Sequence, residues 1–217
     1  PPSAQQAQAV KAPEPSPAVF VVDDDKSVRD SIRWLLESIG LRVETFDSAE
    51  SFFAQFSPDR PGCLVLDVRM PGMSGPELMD KLGAPNPPLP IIFLSAHGDV
   101  PLAVRAMKGG AVDFLQKPYN NQTFLERVRQ ALEQDAQTRT RRLQRDGVSM
   151  RLAALTDRER QVLKGVVAGR SNKEIARELD ISYKTVEVHR GRLMQKMEAH
   201  SVAELLQQVL SQEALAD

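Results

Sequence analysis

An α/β doubly wound domain followed by a smaller all-α domain is the fold this sequence predicts. Three observations carry that expectation. Between residues 18 and 135, five short apolar runs alternate with helical periodicities. Beyond Leu155 the strand signal vanishes and helix-capping patterns recur. The charge divides in the same region: residues 18–135 carry 12 Lys and Arg against 17 Asp and Glu, a net −5, while residues 136–217 carry 15 against 11, a net +4. Halves of opposite sign suit different partners.

The elements follow in order. Residues 1–17 are rich in Pro, Ala, Gln and Ser, cannot bury a core, and read as a disordered tail or a processing remnant. The five apolar runs are VFVV (19–22), VETF (43–46), CLVL (63–66), PIIFL (90–94) and AVDFL (111–115). Val28, Ile32, Leu35, Leu36 and Ile39 mark the first helix, which Gly40 stops. Ser48 opens a second helix carrying Phe52, Phe53 and Phe56. Ser74 opens a third, with Glu77 completing a capping box. A fourth runs from Val100 to Met107 and ends at Gly109–Gly110; Phe124, Leu125, Val128 and Leu132 mark a fifth. The fifth has no clear stop, so residues 123–149 read as its end and a solvated linker helix, broken near Gly147. Four more helices are expected over 157–168, 172–179, 183–197 and 202–211. Thr156 with Glu159, Ser171 with Glu174 and Ser201 with Glu204 form capping boxes, and Ser182 is an N-cap. Only Asp180, Ile181 and Ser182 separate the middle pair, giving a helix–turn–helix.

Bulk properties narrow the class. Hydrophobic content of 41% suits globular domains. No apolar run approaches the roughly 18 residues of a membrane helix, and no charged-then-apolar signal segment opens the chain. The lone Cys63 lies within an apolar run and reads as a buried hydrophobe. Three scattered histidines and one cysteine give no zinc spacing. A cytoplasmic protein is expected.

The chemistry concentrates where apolar runs end. VFVV runs straight into Asp23, Asp24 and Asp25, and CLVL ends in Asp67. A doubly wound sheet binds ligands beyond the carboxyl ends of its strands. In a five-stranded sheet of order 2-1-3-4-5, strands one and three are neighbours, so Asp23, Asp24 and Asp67 converge. Converging carboxylates repel unless a cation joins them, and hard oxygen ligands suit Mg²⁺. Ser95 and Lys117 end two further runs on the same edge. A hydroxyl and an ammonium beside a carboxylate–metal cluster suit a phosphoryl group, with Asp67 as nucleophile. Asp25 reads as a helix-capping charge.

The set DD, D-x-R-M-P-G-M-S-G (Asp67 to Gly75), S-A (Ser95, Ala96) and K-P (Lys117, Pro118) resembles a response-regulator receiver domain over residues 18–135. The resemblance implies phosphoryl transfer to Asp67 from a sensor histidine kinase. It implies Mg²⁺ on Asp23, Asp24, Asp67 and the carbonyl of Arg69, and a cis Lys117–Pro118 bond. It implies that Ser95 and Phe114 rearrange together; Phe114 stands where many receivers carry Tyr or His, so its part in the switch is packing. HGDVPLAVRAMKGGAVDF is similar to the FixJ-type subfamily, which implies phosphorylation-driven homodimerisation with Val104 and Lys108 at the interface. The boundaries are set at 18–122 for the receiver and 150–217 for the second domain.

LTDRERQVLKGVVAGRSNKEIARELDISYKTVEVHRGRLMQKM (155–197) resembles the LuxR/FixJ-type DNA-binding domain. Val186, Leu193 and Met197 give its 183–197 helix one apolar seam, and Lys184, Glu187, Arg190 and Arg192 lie elsewhere around it. Such a helix can lie in a major groove. Ser182, Lys184, Thr185, His189 and Lys196 are expected to contact phosphates; Glu187, Val188, Arg190 and Gly191 lie nearer base edges. Residues 156–200 carry 10 basic against 7 acidic side chains, so one domain alone should bind weakly and a pair more tightly. The implied partners are the kinase, double-stranded operator DNA, and RNA polymerase if the protein is an activator, in a bacterial cytoplasm and with no membrane. Two other readings stay open. A haloacid-dehalogenase-type phosphatase wants a second acid two residues after its nucleophile, where this chain has Arg69. A constitutive binding module leaves the five-residue site unexplained. A P-loop hydrolase is excluded because no G-x-x-x-x-G-K-[ST] occurs.

Overall fold

The computed structural model describes residues 16–84, 86–96, 98 and 100–213, with residues 212 and 213 described by backbone alone. Most of the tail expected over 1–17 lies outside the described residues. The chain divides into two compact units between Arg139 and Thr140.

The first unit holds five parallel strands, β1 (Ala18–Val22), β2 (Arg42–Phe46), β3 (Gly62–Asp67), β4 (Ile91–Ser95) and β5 (Asp113–Gln116), in the order β2-β1-β3-β4-β5. Between and after them come α1 (Lys26–Glu37), α2 (Ala49–Gln55), α3 (Gly75–Lys81), α4 (Val100–Lys108) and α5 (Asn121–Ala153). Successive strand residues serve opposite faces. Phe20, Leu64, Leu66, Ile91 and Phe93 share a core with Phe52 of α2, Leu78 and Met79 of α3, and Ala106 of α4. Val19, Val21, Cys63, Val65, Ile92 and Leu94 share another with Ile32 and Leu36 of α1 and Phe124, Val128 and Ala131 of α5. Both faces are covered, which is why the inner strands read as continuous apolar runs rather than alternating ones.

Local chemistry sets the helix starts. Asp25 caps α1, accepting from the Ser27 amide at 2.8 Å. Ser48 caps α2, and the Ser74–Glu77 box opens α3. At the other end of the sheet, Gly62 opens β3 with φ +151°, and a Cβ there would fall 2.0 Å from the Ala18 carbonyl oxygen. Only glycine fits this approach.

The second unit contains the end of α5 with α6 (Asp157–Val167), α7 (Asn172–Leu179), α8 (Tyr183–Lys196) and α9 (Val202–Glu213). Val148, Val162, Ile175, Val186, Leu193, Met197, Leu205 and Val209 are among the residues that build its core. Two expectations need correcting. The break near Gly147 does not occur; α5 runs unbroken to Ala153. One glycine costs a helix about 1 kcal/mol relative to alanine, and burial of the adjacent Val148 in this core offsets it. The Ser201–Glu204 box is shifted by one residue. Ser201 Oγ accepts from the Glu204 amide, but the Glu204 carboxylate accepts from the His200 amide, at 2.9 Å.

Candidate functional site

The carboxyl ends of β1, β3, β4 and β5 bring the predicted phosphorylation residues to one edge. Asp23 follows β1 and is 1% exposed; Asp67 ends β3 and is 7% exposed; Ser95 ends β4 and is 3% exposed. Lys117 follows β5, its amide donating to the Ser95 carbonyl at 2.7 Å, and the Lys117–Pro118 bond is cis. The lysine ammonium donates to Asp67 Oδ1 at 2.6 Å and Asp23 Oδ2 at 2.7 Å. The free oxygens of the two acids are held by backbone: Asp23 Oδ1 accepts from the Asp25 amide and Asp67 Oδ2 from the Arg69 amide. Gly75 makes room for this turn, since a Cβ there would meet the Asp67 carbonyl oxygen at 2.4 Å. Phe114 pairs in register with Phe93, the ring centroids 6.4 Å apart.

Burial pushes the Asp23 carboxyl above its ordinary range, against the opposing pull of Lys117. Burial also works against the lysine's charge, but its hydrogen bonds to Asp23 and Asp67 outweigh that and raise its pKa. The convergence expected of three carboxylates is seen for two. Asp24 is exposed, and among the described residues no three acidic, histidine or cysteine side chains stand ready around one point. Lys117 occupies the shared position instead. The donor set nevertheless fits Mg²⁺. It consists of hard oxygens, two of its carboxylates already gather round one positive charge, and Mg²⁺ keeps several waters and uses only one or two carboxylates. Asp23, Asp67, the rim residue Asp24 and the Arg69 carbonyl are the groups that could hold it.

In the second unit α8 buries Val186 and Leu193, its C-cap residue Met197 is buried as well, and Lys184, Glu187, Val188, Gly191 and Arg192 are exposed. Asp180 caps α7 in the left-handed conformation, φ 52°, which makes the short turn into α8. Ser182 caps α8 and accepts from the Thr185 amide at 3.0 Å. Ser182 and Thr185 also join hydroxyl to hydroxyl at 2.7 Å, and two of the predicted basic DNA-contact side chains have internal partners. Lys196 donates to Glu159 Oε2 at 2.8 Å and to the Ala154 carbonyl at 3.1 Å; Arg190 donates to Asn172 Oδ1 at 2.6 Å. His189 Nδ1 is buried and makes no hydrogen bond. On α4, Val104 is 48% exposed and Lys108 is exposed, and Val100 and Met107 extend the same apolar stripe.

Sequence reasoning missed one buried group, Asp135 on α5. It accepts from the Gly62 amide at 2.8 Å and pairs with Arg139, which also donates to the carbonyls of Pro58 and Arg60. The i,i+4 spacing of Asp135 and Arg139 resembles an ordinary surface pair, so only the burial of Asp135 reveals it.

Comparison with known proteins agrees with this geometry. Residues 19–129 match the response regulator receiver domain and residues 153–209 match the bacterial regulatory proteins of the luxR family. The chain is 45% identical to the transcriptional regulatory protein FixJ of Bradyrhizobium diazoefficiens, over 87% of this chain and 92% of that one. It is 48% identical to the transcriptional regulatory protein TdiR of Thauera aromatica, over 94% and 89%. Among solved structures, the response regulator StyR shares 49% identity and a TM-score of 0.83, covering 89% of this chain and 98% of that one. Full-length FixJ from B. japonicum shares 43% and a TM-score of 0.55, covering 93% and 99%. Receiver domains of this kind normally bind Mg²⁺. Among the described residues no helix is long and apolar enough to cross a membrane. The chain therefore belongs to the response regulators that join a receiver domain to a luxR-type helix-turn-helix, a family of phosphorylation-dependent transcriptional regulators that bind DNA.

Proposed function

We propose that Asp67 is the phosphoryl acceptor, with residues 18–122 as the receiver, 123–149 as the linking stretch and 150–217 as the DNA-binding domain. The observation that carries this reading is the Lys117 bridge between Asp23 and Asp67. A kinase phosphohistidine is the donor. The Asp67 oxygen attacks phosphorus, the P–N bond breaks, and the histidine nitrogen leaves with the electron pair. Lys117 exchanges a carboxylate partner for a phosphoryl oxygen, and the Ser95 hydroxyl donates to another. Bound at Asp23, Asp24, Asp67 and the Arg69 carbonyl, Mg²⁺ would neutralise charge on the transferring group. Ser95 and Phe114 shift together, and the exposed α4 stripe that includes Val104 and Lys108 becomes the homodimer contact.

The dimer then places two α8 helices on operator half-sites. Ser182, Lys184 and Thr185 contact phosphates; Glu187, Val188 and Gly191 face base edges. Lys196 acts chiefly within the domain, because its ammonium is committed to Glu159 and Ala154. The setting is the bacterial cytoplasm, with RNA polymerase a partner if targets are activated. The test is intact mass after acetyl phosphate treatment. One phosphoryl added to wild type with Mg²⁺, absent with EDTA and absent from Asp67→Asn, is expected. An adduct on Asp67→Asn, or none on wild type even from a phosphorylated kinase, overturns the assignment.

A further inference from the structure

Asp67 is joined to α3 by VRMPGMSG, residues 68–75. Its proline and glycines favour turns over a regular element, so the path of this loop depends on its attachments. Two of them are internal. The Arg69 amide donates to Asp67 Oδ2 at 2.8 Å, and the Gly75 amide donates to the Val68 carbonyl at 3.1 Å. Another comes from a different helix. The Met73 amide donates to Oε1 of Glu50, in the first turn of α2, at 2.8 Å. Glu50 and Met73 are 23 residues apart, so this bond is a tertiary tether and not a local cap. The carboxylate lies close over the loop backbone: a Cβ on Gly72, whose φ is +76°, would fall 2.6 Å from the same oxygen.

We propose that Glu50 is a positioning residue for phosphoryl acceptance. By tying the loop between β3 and α3 to α2, it holds the Arg69 carbonyl where it can serve a cation beside Asp67. This inference rests on the Asp67 and Mg²⁺ reading given above. A backbone carbonyl has no rotamer of its own; the course of the chain aims it. Mg²⁺ demands near-ideal octahedral geometry, so slack in a single ligand shows first as lost cation affinity. A carboxylate accepting from a backbone amide makes one of the stronger hydrogen bonds, and it suits such a tether. Glu50 acts through the loop and not on the transferring group. Its loss should raise the Mg²⁺ concentration that phosphorylation needs and leave the rate at saturating Mg²⁺ unchanged.

Mg²⁺ is titrated into the full chain, and the rise in melting temperature gives an apparent affinity. Glu50→Ala should weaken that affinity by about fivefold, within the range of one exposed hydrogen bond. Glu50→Gln loses the charge but keeps an oxygen that can accept from the Met73 amide, and should stay within about twofold of wild type. Hydrogen exchange of the Met73 amide, followed in EDTA, should quicken in Glu50→Ala and not in Glu50→Gln. Intact mass, followed over time with acetyl phosphate or a phosphorylated kinase, should show Glu50→Ala modified at the wild-type rate once Mg²⁺ is saturating. Wild-type Mg²⁺ affinity in Glu50→Ala overturns the role of Glu50. So do equal losses in both variants, unchanged Met73 exchange, or a slow rate that saturating Mg²⁺ does not restore. A wild type that neither responds to Mg²⁺ nor takes a phosphoryl group overturns the Asp67 reading, and this inference with it. A wild type that does both keeps the two failures apart.

Discussion

The ammonium of Lys117 lies 2.6 Å from Oδ1 of Asp67, and the same nitrogen reaches Asp23 at 2.7 Å. One lysine therefore bridges two carboxylates that are 7% and 1% exposed. Lys117→Met leaves those charges facing each other. Breaking a fully buried pair costs about 3–5 kcal/mol; the lysine side chain is 21% exposed, so we expect about 2–3 kcal/mol. A divalent cation should replace the missing charge. Melting temperatures with and without Mg²⁺ check this: Mg²⁺ should raise that of Lys117→Met more than that of wild type. Equal responses would mean that the two carboxylates do not share a cation site.

Asp135 makes a second buried attachment, at the opposite end of β3. Its carboxylate joins the Gly62 amide to Arg139, and Arg139 closes the loop on Pro58 and Arg60. Asp135→Ala strands the amide and the guanidinium together. We expect a loss of about 2–4 kcal/mol, with faster hydrogen exchange at the Gly62 amide. Urea unfolding and exchange rates check this. A loss confined to a few tenths of a kcal/mol, like that of a surface pair, would refute the anchoring role.

The contrast between these acids shows what a sequence can tell. Asp23 and Asp67 were legible because each ends an apolar run, and a parallel sheet gathers strand ends on one side. Capping boxes such as Ser74–Glu77 were legible because their chemistry is local. Asp135 was not, since its partner Gly62 lies 73 residues away and nothing nearby signals burial. The continuity of α5 through Gly147 was also hidden, because the propensity of one residue is local while the burial of Val148 depends on the second unit's core. The exposure of Asp24 was also hidden: adjacency to the buried Asp23 says nothing about it. The internal partner of Lys196 was hidden for a related reason, as its helical position was visible and Glu159 on α6 was not.

Glu159 links a helix cap to that lysine. Its hydrogen bond with Lys196, followed by that with the Thr156 amide, holds its carboxyl down to about 2 against an ordinary 4.5. A depressed carboxyl pKa gives stability that is fully present above the unfolded value and is lost as pH falls toward the folded one. The contribution should therefore hold at neutral pH and fade between 4.5 and about 2. Glu159→Gln removes it throughout. The gap in unfolding midpoint between wild type and Glu159→Gln, followed from about pH 6 to about pH 3, should narrow. A gap that stays constant over that range would place the effect in packing rather than charge.

The outward face of α8 separates two kinds of DNA contact. Lys184 is an exposed cation in the first turn, whereas Glu187 and Val188 lie further along the helix, exposed and with no ion-pair partner among the described residues. A phosphate contact positions the protein without reading sequence. Lys184→Ala should weaken all duplexes alike and reduce the salt slope by about one. A carboxylate accepting from a cytosine amine carries information, worth about 1–3 kcal/mol against the wrong base. Glu187→Ala should leave the salt slope nearly unchanged and relax preference at one position of the half-site. Val188, 47% exposed yet apolar, suits a thymine methyl, so Val188→Ser should weaken selection at a neighbouring position. Binding-site selection from a random duplex library, followed by salt titrations of the chosen site, reads all three. If Glu187→Ala selects the same sequence as wild type while Lys184→Ala selects a different one, the two roles are exchanged and the helix lies in the groove at another rotation.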